Sequence, residues 1–463
     1  MFEKVLIANR GEIALRIIRA LKELEVSSVA VYSTADRKAR YVQEADEAIC
    51  IGGPQPASSY LNMENIISAA VLTGAQAIHP GYGFLSESAE FAQLCVECNL
   101  KFIGPDPKTI SLMGDKANAR QTMQQNKIPV IPGSNGFVED LTEIQTIAQE
   151  VGLPVMLKAA AGGGGKGIRK VTEFDQLAPA LAAAQKEAQI SFGDQRMYLE
   201  KVVSPAKHIE VQVIADQFHQ VVAFPERDCS LQRKQQKVLE ESPCALLTPA
   251  ERQQLQKLAV QAMKAINYEN AGTLEFLMDQ QHNFYFMEMN TRIQVEHPIT
   301  EEVSGVDLIK EQIRVAAGEK LAFKQSEITV HGAAIEARIN AEDPAHGFRP
   351  QAGLVRKMNL PGGLGIRIES GIVAGDQVSP FYDSMIIKII AHADQRPVAI
   401  RRLENALQEF EVDDLVTNQR FLAELLEQPE VQKGTYLTTY IDQKFGAQFE
   451  REQEAKEEQT HED

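Results

Sequence analysis

Gly272-Thr273-Leu274-Glu275-Phe276-Leu277-Met278 and Phe284-Tyr285-Phe286-Met287-Glu288-Met289-Asn290 read as two strands of one hairpin. A two-residue period puts Phe284, Phe286, Glu288 and Asn290 on one face of the second strand, and direct pairing lets Glu275 lie beside Glu288 on that face. Two carboxylates among Phe, Leu and Met repel each other and are costly without a cation. Glu275, Glu288 and Asn290 offer only oxygen donors, which magnesium takes when it bridges phosphates. The competing interpretation is a pair of solvated carboxylates on an open sheet face.

Downstream, Asn290-Thr291-Arg292-Ile293-Gln294-Val295-Glu296-His297-Pro298 follows without a break. If it stays extended, Arg292, Gln294 and Glu296 point one way: an arginine fork, an amide and a carboxylate that together suit a small oxyanion and could take its proton. His297, before Pro298, reads as a structural turn residue. Upstream, Arg227, Gln232, Arg233, Lys234 and Lys237 form a basic segment suited to phosphate contact. Further upstream, Ala161-Gly162-Gly163-Gly164-Gly165-Lys166-Gly167 joins two strands. Glycines let backbone N–H groups turn toward a phosphate. The loop is no Walker A, because Gly167 follows Lys166 and a strand follows in place of a helix. A hairpin closing over ATP fits better, with Lys158 on the entering strand and Lys116 as a second cation.

Residues 1–113 alternate strands (Val5–Ala8, Ser28–Tyr32, Ala45–Ile51, Ala75–Ile78, Lys101–Ile103) with helices (Gly11–Leu24, Asn62–Leu72, Glu87–Cys98), which predicts an open, mostly parallel sheet. Gly11 stands alone where a dinucleotide fingerprint needs three glycines, so this is no dinucleotide site. A small α/β insert over 131–203 and a second mixed segment over 331–446 flank the hairpin region. The fold class expected is α/β and α+β multidomain, divided at 1–113, 114–330 and 331–446, with 447–463 a disordered acidic tail.

Net charge is −17. The last fourteen residues hold seven acids against Arg451 and Lys456, and the rest stays clearly acidic, which argues against nucleic acid as a partner. Five scattered cysteines fit a reduced, cytoplasmic protein. Cys95 and Cys98 lie in a helical pattern with no second ligand pair at zinc spacing. No signal peptide and no membrane span are legible.

Together these motifs resemble the biotin carboxylases of the ATP-grasp superfamily. The marks run from Ile7-Ala8-Asn9-Arg10-Gly11-Glu12 through His79-Pro80-Gly81-Tyr82-Gly83-Phe84-Leu85-Ser86-Glu87, the glycine loop, Glu226-Arg227-Asp228-Cys229-Ser230 and Glu288 to Pro298, ending at Arg338-Ile339-Asn340-Ala341-Glu342-Asp343-Pro344. The resemblance implies an ATP-grasp fold with an N-terminal parallel α/β domain, a small mobile lid and a C-terminal mixed domain. It implies ATP phosphate or ribose contacts from Lys116, Lys158, Gly163, Gly164, Gly165, Lys166, Gly167, His208 and Gln232. Adenine would sit at Glu200, Lys201 and Val203. One or two Mg2+ (or Mn2+) ions would bind Glu275, Glu288 and Asn290. Lys237, Arg292, Gln294 and the Val295 N–H would hold bicarbonate, with Glu296 as its base. Arg338 would stabilise a biotin enolate, and Tyr82 would line the biotin pocket. Gln235 stands where the family usually has His, at a position the resemblance gives to a ribose contact.

A carrier domain would show Ala-Met-Lys-Met in a hairpin. The nearest string, Ala262-Met263-Lys264-Ala265, lies in a helical stretch. Biotin is therefore expected on a separate biotin carboxyl carrier protein, with carboxyltransferase subunits completing an acetyl-CoA carboxylase. The resemblance also implies a homodimer.

Overall fold

The computed structural model describes residues 1–138, 140–159 and 167–453. At the N-terminus, β1 (Lys4–Ile7), α1 (Gly11–Glu23), β2 (Ser27–Ser33), α2 (Arg40–Glu44), β3 (Glu47–Gly52), α3 (Met63–Thr73), β4 (Ala77–His79), α4 (Ala89–Glu97) and β5 (Lys101–Phe102) form the predicted parallel sheet, in the order β3-β2-β1-β4-β5. Helices cover both faces and build two apolar cores. The loop after β4 is tied to β1 by the Asn9 side chain, whose Nδ2 donates to the carbonyls of Pro80 and Tyr82, each at 2.7 Å. Gly81 (φ +62°) fits there because a β-carbon would come within 3.0 Å of that amide. Cys95 is buried on the inner face of α4, as the helical pattern required.

Helices α5 (Pro107–Gly114) and α6 (Lys116–Gln125) lead to a smaller unit. In it α7 (Leu141–Val151), β6 (Val155–Ala159), β7 (Ile168–Val171), α8 (Leu177–Phe192) and β8 (Met197–Lys201) enclose their own core under an antiparallel sheet ordered β7-β6-β8. A strand does follow the glycine loop, but Gly163, Gly164, Gly165 and Lys166 lie outside the described residues.

The largest sheet is antiparallel and has nine strands. Its members include β9 (Lys207–Ala215), β10 (Val221–Ala223), β11 (Arg227–Arg233), β12 (Gln236–Ser242), β13 (Asn270–Met278), β14 (Phe284–Asn290) and β15 (Ala333–Asn340). It continues through the strands Met385–Ala393 and Ile366–Ser370. The sheet therefore runs unbroken from the hairpin region into the C-terminal segment. Helix α9 (Pro249–Ala265) packs against β9 and β10, and begins at a Thr248/Glu251 capping box with Pro249 in its first turn. Helix α10 (His297–Ser304) crosses β15, and α11 (Leu308–Ala316) follows it. Among the described residues no helix is long and apolar enough to cross a membrane.

Candidate active site

β9 sets the floor. Ile209, Val211 and Val213 enter the core with Leu274 and Phe276, so His208, Glu210 and Gln212 project to the opposite face. Glu210 stands in register with Glu275 on one side and Arg227 on the other. Lys237 from β12 reaches over them. Its Nζ donates to Glu210 Oε2 and to Glu296 Oε1, each at 2.6 Å, and lies 3.4 Å from Glu275 Oε1. Burial works against its charge, but the surrounding carboxylates of Glu210, Glu275 and Glu296 outweigh that and hold it protonated.

Glu296 is buried, which favours its neutral form. Lys237, then Arg338 and Arg227, override this and keep it ionised, well below the usual carboxylate range. Arg338 Nη2 lies 2.5 Å from Glu240 Oε1 and 2.9 Å from Glu296 Oε2. Burial pushes Glu240 up to about 7 despite that guanidinium. Three cations and several acids thus meet where an entering anion could take over Lys237 and Arg338 from Glu296, raising that carboxylate's affinity for a proton.

Glu275 and Glu288 are cross-strand partners on one face of the β13–β14 hairpin. The face assignment expected for β14 is corrected, however. Phe276 pairs with Phe286 while Glu275 pairs with Glu288, so Met287 is an extra residue in a β-bulge. Phe284 and Phe286 lie in the apolar core with Met289, and the bulge turns Glu288 and Asn290 to the other side. Without it, Glu288 would face the core. Glu275 Oε1 accepts from Asn290 Nδ2 and Gln294 Nε2, each at 2.7 Å, and its Oε2 lies 2.9 Å from His208 Nε2. Glu288 Oε2 lies 2.6 Å from Lys116 Nζ. Two facing carboxylates and an amide oxygen are a donor set that suits a hard divalent cation, and Lys116 and Arg292 occupy Glu288 and the Asn290 oxygen in its place. Two other groupings bring possible ligand atoms together, His208/Glu210/Glu275 and Glu210/Cys229/Glu296. Both hold the Lys237 ammonium at their acids, just as Glu288 holds Lys116, so the choice of Glu275, Glu288 and Asn290 rests on their all-oxygen donor set.

The segment after Asn290 is not extended throughout. It turns at Val295–Glu296, and Glu296 serves as the N-cap of α10. Gln294 and Glu296 still converge on Glu275 and Lys237. Arg292 instead reaches sideways: its Nε donates to Glu87 Oε2 at 2.9 Å and its Nη2 to Asn290 Oδ1 at 3.0 Å. His297 is fully buried and its Nδ1 lies 2.8 Å from the Gln294 carbonyl; burial keeps it neutral, well below its usual range, as a structural residue requires.

The basic segment also needs correcting. Arg227 is fully buried and cannot touch a phosphate. Its guanidinium donates to Glu210 Oε1 at 2.5 Å, Thr300 Oγ1 at 2.9 Å, Gln212 Oε1 at 3.1 Å and the Gln294 carbonyl oxygen Oε1. Arg233 lies over the Phe348 ring at 3.8 Å, and Lys234 with Gln235 makes the hairpin turn at positive φ. Only Gln232 and Lys237 of the five face the site; Gln232 Nε2 is 2.6 Å from His208 Nδ1. On the smaller unit Lys158 Nζ donates to Glu200 Oε2 at 2.5 Å, and Lys201 and Val203 follow at the end of β8. Gly167 (φ +70°) closes the described end of the glycine loop. Tyr82 donates its hydroxyl proton to Glu12 Oε1.

Glu210, Glu240, Arg227, Glu12 and Lys388 were missed as site residues. Glu210 was visible in the alternation His208-x-Glu210-x-Gln212 against Ile209, Val211 and Val213. Glu12 stood in a quoted motif without a role, and Arg227 was assigned to phosphate contact in place of the brace it forms.

Three stretches match known families: residues 1–110 the biotin carboxylase N-terminal domain, 115–324 the ATP-binding domain of the carbamoyl-phosphate synthase L chain, and 336–443 the biotin carboxylase C-terminal domain. A biotin carboxylase from Nostoc sp. is 50% identical, over 96% of this chain and 99% of its own length. The crystal structure of a biotin carboxylase from Campylobacter jejuni with β-γ-ATP aligns with a TM-score of 0.93 at 45% identity, over 96% of this chain and 99% of that one. The biotin carboxylase domain dimer of Hydrogenobacter thermophilus 2-oxoglutarate carboxylase, with MgADP, ADP and bicarbonate, aligns at 0.91 and 47% identity, over 96% and 97%.

Proposed function

This chain belongs to the biotin carboxylase family of ATP-dependent ligases, and from that premise we propose that it carboxylates biotin on a separate carrier protein with bicarbonate, through carboxyphosphate and a biotin enolate. The observation that carries the reading is the convergence of Lys237 and Arg338 on the two oxygens of Glu296, beside Glu275. Lys237, Gln294 and the Val295 N–H bind the bicarbonate, and Arg292 joins them by turning away from Glu87. Glu296 accepts its proton, and the freed oxygen attacks the γ-phosphorus as ADP leaves. Lys116, Lys158, His208, Gln232 and the glycine loop bind ATP phosphates or ribose, adenine lies against Glu200–Val203, and the unit over 131–203 closes as a lid that excludes water. Glu275, Glu288 and Asn290 would hold Mg2+ or Mn2+, which would supply charge neutralisation for the ATP phosphates. Arg338 then stabilises the ureido oxygen of biotin as it gains charge, with Tyr82 at the pocket wall.

We assign the reaction to the first half of an acetyl-CoA carboxylase in fatty acid synthesis, in a cytoplasmic homodimer with a biotin carboxyl carrier protein and carboxyltransferase subunits. The Nostoc relative, named a biotin carboxylase alone, fits this reading without naming an acceptor. The Hydrogenobacter protein favours a second one, in which the carboxyl group passes to a 2-oxo acid. Identifying the acceptor of the carboxyltransferase that co-purifies with the biotinylated carrier decides between them.

The reaction itself is tested by ADP release. Bicarbonate-dependent ATP cleavage is expected, rising with free biotin; no response to biotin at any concentration discards the carboxylase reading in favour of a ligase that activates another acid. Glu288→Gln is expected to raise the magnesium concentration for half-maximal rate about tenfold, since one anionic oxygen ligand becomes neutral. An unchanged magnesium titration removes Glu288 from the metal site.

A further inference from the structure

Lys388, on the strand Met385–Ala393, is fully buried. A buried ammonium is costly unless its partners compensate, so its contacts carry information. Its Nζ donates to the carbonyl oxygen of Val295 at 2.6 Å and lies 3.1 Å from Glu12 Oε1. That same Glu12 oxygen accepts the Tyr82 hydroxyl. Lys388 also stands in register with Arg338 on the neighbouring strand. Two cations side by side need separate acceptors, and they have them: Arg338 takes Glu240 and Glu296, while Lys388 takes Glu12 and Val295.

We propose that Lys388 is a positioning residue that sets both half-sites at once, anchoring the Val295–Glu296 peptide on the bicarbonate side and, through Glu12, the Tyr82 ring on the biotin side. The proposal rests on the reaction and site roles assigned above. The physical route is short. The peptide is planar, so fixing the Val295 oxygen fixes the plane that leads into the Glu296 α-carbon. Glu296 caps α10 with φ −83° and ψ 10°, and its side chain must leave that α-carbon toward Lys237 and Arg338. On the other side, the Glu12 carboxylate comes from the first turn of α1 and holds the Tyr82 hydroxyl, so Tyr82 is oriented by a group that Lys388 itself holds. The N-terminal domain, the anion turn and the C-terminal sheet meet at this one ammonium.

A buried ion pair with a purely structural role would lower stability and change all kinetic constants together. A positioning role separates them. Lys388→Met combined with Glu12→Gln, which removes both charges and leaves neither stranded, is expected to lower kcat/KM for bicarbonate in biotin-independent ATP cleavage about tenfold. It should raise KM for free biotin by a similar factor and leave KM for ATP unchanged. Glu12→Gln alone keeps Lys388 on Val295; it should raise the biotin KM several-fold and change the bicarbonate constants by a clearly smaller factor. This conservative variant keeps the shape and a hydrogen-bonding oxygen, and the buried Glu336 carboxyl beside Lys388 can ionise to balance the ammonium, so it carries the test even where the double variant does not fold. A Glu12→Gln enzyme with unchanged biotin KM, or with bicarbonate and biotin constants shifted together, overturns the proposal. Wild-type enzyme whose ATP cleavage ignores biotin overturns the assigned reaction instead, so the two failures are distinct.

Discussion

Glu296→Gln is expected to abolish bicarbonate-dependent ATP cleavage, with a fall in kcat of about 10²–10⁴, the range for removing a general base. The amide keeps the size of the side chain but cannot accept the bicarbonate proton. Breaking a buried ion pair is often strongly destabilising because a charge is left alone, at about 3–5 kcal/mol. That cost is avoided here. Lys237 keeps Glu210 at 2.6 Å and Arg338 keeps Glu240 at 2.5 Å, so neither cation is stranded. The variant should therefore fold and bind ATP with a normal KM. Steady-state ADP release across a bicarbonate titration is the measurement, and a rate within threefold of wild type removes Glu296 from the role of base.

Arg338→Ala is expected to split the two half-reactions. Carboxylation of free biotin should fall by about 10²–10³, the cost of losing a donor aimed at developing negative charge, while slow bicarbonate-dependent ATP cleavage persists. The geometry allows this division because Glu296 retains Lys237 when the guanidinium is gone. Glu240 loses its cation, but burial already pushes it up to about 7. It then takes up a proton and becomes neutral, so the interior is not left with a bare carboxylate. Equal loss of both activities would contradict the separate role of Arg338.

Much of this arrangement could be read from residue types. The parallel N-terminal sheet followed from alternating apolar runs and helical periods, whereas its order, β3-β2-β1-β4-β5, came only from the tertiary structure. The carboxylates Glu275 and Glu288 were recognisable because acids among Phe, Leu and Met need an explanation. Glu210 was equally visible in its alternation and was overlooked. Arg227 was misread: a basic residue in a basic segment looks like a phosphate contact, and only burial reveals a brace beneath Gln294 and Glu210.

The amino-acid sequence by itself determined the strands of the N-terminal sheet and of the hairpin carrying Glu275 and Glu288, the oxygen donors and the family, because those depend on local pattern and on motifs carried in order. Tertiary structure alone decided which way Glu288 faces and which distant groups meet. Period-two alternation holds only while register is unbroken, and the bulge at Met287 uses one residue and reverses every side chain beyond it. Lys237, Glu296, Arg338 and Lys388 come from separate strands and a helix start, and no local signal records that β12, β15 and the strand Met385–Ala393 lie side by side.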